Sequence, residues 1–155
     1  MRALLVAIAV LFLATIGVTL VLPAYVDSRM NSVKHAPPYS ASGQAKDLHE
    51  RLFIADMHDD ALLWSRDLLT RHGYGHSDLP RLQEGRVALQ VFATVTKTPK
   101  NMNFERNASD TDSITMLAMA QRWPRRTWNS LLERALFQSE KLHAAARDSA
   151  GQMRI

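Results

Sequence analysis

Between Ala3 and Val26 the chain carries no charged residue, and from Ala3 to Leu22 every side chain is apolar or small. At about 1.5 Å per residue the latter stretch spans roughly 30 Å as a helix, the thickness of a bilayer's hydrocarbon core. A cleaved secretory signal usually has an apolar region of only about 7–15 residues. This one is longer, and Leu22-Pro23-Ala24 is a poor small-x-small cleavage site. We therefore read residues 1–26 as an uncleaved transmembrane signal-anchor helix. Lipoprotein anchoring is excluded because there is no cysteine to acylate. Zinc fingers, iron–sulfur clusters and cysteine nucleophiles fall with it, since each needs a thiolate. Arg2 precedes the helix and Arg29 and Lys34 come after it, so the positive-inside rule does not decide the orientation. The long remainder favours an amino terminus inside. The expectation is a single-pass membrane protein whose bulk is periplasmic or extracellular.

The rest of the chain has an ordinary globular character. Of the 155 residues 46% are hydrophobic and 22% charged, which argues against intrinsic disorder. The residues beyond the anchor can bury one modest core. They cannot form a complete large barrel, which needs about 250 residues. The formal charge of +4 owes much to Arg122, Arg125 and Arg126 beside Trp123 and Trp128. These flank a helix break at Pro124, so they read as a solvated basic face, and no nucleic-acid partner is expected.

Residues 27–44 are rich in Ser, Pro, Ala and Gly and read as a linker that lifts the domain, residues 45–155, off the bilayer. Ala45–Leu52 reads as a short helix and Phe53–His58 as a buried strand. Ala61–Leu69 is a short apolar helix or turn, broken by Gly73 and Gly75. A helical piece, Leu79–Glu84, ends at Gly85. Val87–Thr96 is β-branched, aromatic and nearly uncharged, the pattern of a strand buried on both faces. Strand, helical connection and strand predict a βαβ unit with parallel strands. Thr98–Thr111 is a polar loop. Asp112 caps a helix from Ser113 to Trp123, which Pro124 ends. In a longer helix, about Arg126–Arg147, Trp128, Leu131, Leu132, Ala135, Leu136, Leu142 and Ala146 form an apolar stripe expected to pack in the core. Met153-Arg154-Ile155 reads as the start of a further strand.

One motif carries chemistry. The strand ending at Met57 runs into His58-Asp59-Asp60. Side chains alternate along a strand, so His58 and Asp60 point to the same side. Imidazole nitrogen and carboxylate oxygen are both good zinc ligands, and a strand end holds them more rigidly than a loop. By itself a His-x-Asp triplet is a weak signal, and caps or surface hydrogen bonds account for most of them.

The surroundings sharpen it. Residues from Phe53 to Asn107 resemble the membrane dipeptidase family of renal-dipeptidase-like zinc metallopeptidases. Asp56-Met57-His58-Asp59-Asp60 looks like that family's Asp-x-His-x-Asp first-strand motif. Gly75-His76-Ser77-Asp78-Leu79-Pro80-Arg81-Leu82 looks like its next segment. Gly85–Thr96 and Lys97-Thr98-Pro99 resemble its second strand and exit. With the helices after Asp112, the resemblance covers the chain beyond the linker. It implies an α/β fold, the amino-terminal portion of a (β/α)8 TIM-type metallohydrolase barrel, with two zinc ions at the carboxy-terminal strand ends. It also implies hydrolysis of dipeptide substrates, often with tolerance for a carboxy-terminal D-residue. His58 and Asp60 would be ligands of one zinc, and Asp56 a partner orienting a ligand. Zinc acidifies bound water from a pKa of about 16 to about 7, which supplies a nucleophile without Ser or Cys.

The chain stops at Ile155, before the bridging glutamate, the remaining histidine ligands and the catalytic aspartate that the resemblance requires. Glu133 and Glu140 lie on an amphipathic helix and are not promoted to the bridging role. Two ligands do not make a tight zinc site, which needs about four. The expectation is an amino-terminal fragment, inactive alone. Metal-dependent dipeptidase turnover by a soluble fragment of residues 27–155 would refute it.

Other candidates are weaker. His72 and His76 have the spacing of a helical zinc pair, but Gly73 and Gly75 lie between them and the needed Glu is missing. His76 would at most line the mouth of a completed site. Asp110 and Asp112 lack the glycine and distal Glu of a calcium loop, so helix capping is expected. Asn107-Ala108-Ser109 is a glycosylation sequon, relevant only in a eukaryote. The rival to the hydrolase reading is a small membrane-anchored interaction domain, or a remnant, that binds a partner through open barrel edges.

Overall fold

A computed structural model describes residues 1–35 and 37–155. The apolar segment forms one helix, α1 (Arg2–Met30), long and apolar enough to cross a membrane. It runs past Val26 into the segment read as the start of the linker. There Asn31 closes it, with its amide N–H on the Asp27 carbonyl (2.8 Å). A short helix α2 (Gly43–His49), capped by the Ser42 hydroxyl, leads into the first strand, β1 (Ile54–Asp59). A 3-10 turn at Ala61–Leu63 and helix α3 (Leu79–Glu84) connect it to β2 (Val87–Phe92). The Asp78 carboxylate accepts the Arg81 amide (2.9 Å), so α3 begins on an acidic cap. Helices α4 (Ile114–Ala120) and α5 (Leu131–Asp148) complete the fold, separated by a 3-10 turn at Arg125–Thr127.

β1 and β2 pair in parallel, as the strand–helix–strand pattern predicts. Ile54 stands opposite Val87, Ala55 opposite Leu89, Asp56 opposite Gln90 and Asp59 opposite Phe92, with irregularities that shift the register. The molecule is thus mixed α/β: a two-stranded parallel sheet, helices around it and an apolar amino-terminal helix.

Several expectations, the last of them the α5 stripe, need correction. β1 and β2 are not buried strands. Met57, Leu89 and Val91 are exposed, because each strand has only the other beside it and no layer covers their open face. β2 is also shorter than Val87–Thr96. The chain leaves the sheet after Phe92, where the Ala93 amide bonds the Asp59 carbonyl (2.8 Å). Met153-Arg154-Ile155 forms no strand; Gln152 just before it bonds Gln83 of α3 (2.9 Å).

The α5 stripe is the last. Leu131, Leu132 and Leu136 are exposed, whereas Arg134 and Gln138 are fully buried. Trp128 and Leu142 of the stripe do pack against the core, but the first turns of the helix set Arg134 and Gln138 inward, where the backbone needs partners. Arg134 donates to the carbonyls of Thr96 (2.6 Å), Thr127 (2.7 Å) and Trp128 (2.6 Å), to Thr115 Oγ1 and to Asp112. Gln138 takes both polar groups of Val95, its amide at 3.2 Å and its carbonyl at 3.1 Å. These bonds satisfy the chain that has just left the sheet, which would otherwise bury unpaired amides and carbonyls.

The apolar core is small and double. Leu63, Trp64, Ile114, Ala118 and Trp123 form one cluster, joined by Val26 from α1 and by Phe137. Ala61, Leu62 and Leu68 form the other, against Phe92 and Leu142.

Candidate metal centre

β1 ends at Asp59 and hands the chain to the Ala61–Leu63 turn, so the strand terminus is pinned by a tight local structure. The Asp60 carbonyl accepts the Leu63 amide (3.0 Å). Asp59 points into the protein: Oδ1 takes the Ala61 amide (2.8 Å) and Oδ2 the Ser77 hydroxyl. Asp60 lies just past the strand, at φ −95° and ψ 17°, and the register slips between Asp56 and Asp59, so the turn at Ala61–Leu63 and not strand alternation sets the direction of its side chain. His58 Nε2 and Asp60 Oδ1 lie 3.1 Å apart.

The Asp60 side chain is partly exposed, yet its Oδ1 atom is screened from solvent and receives no hydrogen bond. The 3.1 Å approach therefore joins nitrogen and oxygen without the alignment of a hydrogen bond. A shielded, unpartnered carboxylate oxygen beside an imidazole is unfavourable as it stands. Both atoms offer lone pairs, and their separation is compatible with bonds of about 2.0–2.2 Å to one shared cation. The donor set thus fits half of a zinc site. Among the described residues no group of three His, Cys, Asp or Glu side chains converges on one point, so no third protein ligand is in place.

Asp56 meets His58 differently from the expectation. Its Oδ1 accepts the main-chain amide of His58 (3.1 Å), not the imidazole, and its Oδ2 accepts Gln90 Nε2 from β2 (2.9 Å). Asp56 fixes the strand that carries His58 and ties it to its neighbour. The Gln90 amide, and then the His58 N–H, hold its carboxyl below the usual carboxylate range.

The remaining candidates separate. His72 Nε2 contacts the Asp67 carbonyl (3.2 Å), and its ring lies against Tyr74. Asp112 caps α4, accepting the Ile114 amide (2.8 Å) and the Thr115 hydroxyl (3.0 Å). Glu133 and Glu140 both pair with Arg126 (2.8 and 2.7 Å). Arg125 stacks over Trp128 at 5.7 Å. Sequence reasoning missed the buried ion pair between Arg66 and Asp27 (2.7 Å) and the half-buried Lys141. Asp27, the first charge after the apolar stretch, was the one signal available.

No family model, curated protein or solved structure matches this chain.

Proposed function

We propose that the chain belongs to a membrane-anchored, zinc-dependent dipeptidase, with the end of β1 contributing to the metal centre. The observation that carries this reading is the convergence of His58 Nε2 and Asp60 Oδ1 at 3.1 Å, the latter without a hydrogen-bond donor. The parallel β1–β2 pair is the repeating unit from which a (β/α)8 barrel is built, and His58 and Asp60 lie at or just beyond its carboxy-terminal edge, where such barrels place their chemistry. The resemblance of Asp56–Asp60 and of Gly75–Leu82 to the membrane dipeptidases supplies the substrate class.

In this reading His58 and Asp60 hold a zinc ion. When bound, the ion supplies Lewis-acid activation of water and of the scissile carbonyl. The chain's own residues supply rigidity. Asp59 locks the strand end through Ala61 and Ser77, and Asp56 locks the His58 backbone against Gln90. The anchor α1 sets the domain beside a membrane, and we place that domain outside the cytoplasm.

The test is zinc binding by the full chain in detergent micelles, measured by calorimetry. With two ligands the expected affinity is weak, and His58→Ala or Asp60→Asn abolishes it while leaving the melting temperature within about 2 °C. Gly-D-Ala hydrolysis is expected to stay at background. Zinc binding that survives both substitutions sinks the assignment. The exposed Met57, Leu89 and Val91 support a second reading, an anchored domain that binds a partner through its open sheet.

A further inference from the structure

The end of α1 and the globular part enclose a cleft of about 650 Å³. Leu20, Pro23 and Ala24 form one wall, which is where the apolar stretch gives out. Arg66, Trp123 and Lys141 line the other side.

Three side chains there hold N–H groups with no partner among the described residues. The buried Trp123 indole N–H has no partner among the described residues. Lys141 carries three N–H groups and places two, on the carbonyls of Leu62 (2.8 Å) and Trp64. Arg66 gives Nε to Asp27 (2.7 Å) and one Nη to the Ser77 carbonyl (3.4 Å), and its other Nη is unused. The carboxylates that also line the cleft are already engaged. Asp27 accepts Arg66 and Asn31, and Asp67 accepts the Leu69 amide and the Thr70 hydroxyl. Arg66 and Lys141 share one buried carboxylate, Asp27; burial first and then Arg66 lower the Lys141 pKa to about 8, with Asp27 opposing the shift. Unused donors, uncompensated positive charge and an apolar wall at the level of a bilayer interface describe the complement of an anionic amphiphile.

We propose that this cleft holds the headgroup phosphate of an anionic phospholipid, with its acyl chains lying along Leu20 and the preceding turns of α1. The inference rests on the reading that α1 spans a bilayer. The phosphate oxygens accept the Trp123 N–H and the free Lys141 and Arg66 donors, so the lipid joins the anchor to the domain.

The test uses the full chain in nanodiscs of phosphatidylcholine, with or without phosphatidylglycerol, and native mass spectrometry of the lipid it retains. One retained phosphatidylglycerol and no retained phosphatidylcholine is the expected result. Trp123→Phe removes the N–H and keeps an aromatic ring, and lowers retention by about tenfold or more. Lys141→Met does the same. Equal retention of the two lipids overturns the proposal, whether or not the variants fold. So does undiminished retention by folded Trp123→Phe. Inorganic phosphate that raises the melting temperature in micelles as much as phosphatidylglycerol does assigns the cleft to a free anion, which also overturns it. Alkaline carbonate extraction separates the two failures. A chain released from membranes refutes the spanning helix, whereas a retained chain that holds no lipid refutes the cleft alone.

Discussion

Gly75 shows how much one residue carries. Its φ is +84°, a region that disfavours side chains, and a Cβ there would collide with the Arg66 guanidinium. Arg66 has little freedom to yield, because its guanidinium is buried against Asp27. The Gly75 amide also bonds the Asn31 carbonyl (2.8 Å) at the end of α1. Gly75→Ala is therefore expected to destabilise the protein by about 2–4 kcal/mol, combining backbone strain with a disturbed ion pair. Chemical denaturation of the full chain in micelles measures this, and a loss below about 0.5 kcal/mol contradicts the account. At the same scale, His58 and Asp60 were legible in the sequence as near neighbours, but strand alternation does not place them, because Asp60 stands outside β1 at the head of the Ala61–Leu63 turn. Asp56 was legible only as a neighbour of His58. Which atom it bonds depends on Gln90, 34 residues away on another strand.

Among the elements, α5 teaches the most. Its apolar stripe has helical spacing, and the helix forms nearly where that spacing predicts. The stripe nevertheless faces outward at Leu131, Leu132 and Leu136, and Arg134 takes the interior. Sequence periodicity finds a helix and its apolar face but cannot say which side meets the rest of the fold. Here the carbonyls of Thr96, Thr127 and Trp128 require a multidentate donor, and guanidinium provides it. Arg134→Met leaves the Thr96 and Thr127 carbonyls without their donor and Asp112 without its charge partner, and is expected to cost about 3 kcal/mol or more, read from the same denaturation curves. Lys141, two turns further on, makes a pH prediction. Its pKa falls from 10.5 to about 8 on folding, because burial disfavours the ammonium and Arg66 repels it. Between those two values the unfolded state binds more protons than the folded state, so stability rises with pH across that window. The rise is absent in Lys141→Met. An identical pH profile for the two proteins would contradict the burial of the charge.

For the molecule as a whole, the decisive feature is the junction of α1 with the rest of the fold. A linker beginning at Asp27 would leave the domain free to swing. Instead Val26 packs against the larger core cluster, Gln121 donates to the Pro23 carbonyl (3.0 Å), and Asp27 is buried against Arg66. The last turns of α1 are part of the domain's fold, which fixes how the domain sits against the helix. Asp27→Ala leaves the Arg66 charge buried without its partner and is expected to cost about 3–5 kcal/mol. Hydrogen exchange tests the coupling directly: amides from Ala24 to Asn31 lose protection together with α4 in the variant. Protection that persists in α4 while α1 frays would show a loose tether instead. The sequence by itself determined the apolar helix and the strand–helix–strand order behind the parallel pair, because each arises from short-range periodicity and uninterrupted hydrophobicity. Only the tertiary structure decided that Asp27 meets Arg66, that Arg134 and Gln138 face inward, and that the sheet stays uncovered. Those outcomes depend on which unsatisfied backbone groups and charges come together across long stretches of chain, and local patterns carry no record of that.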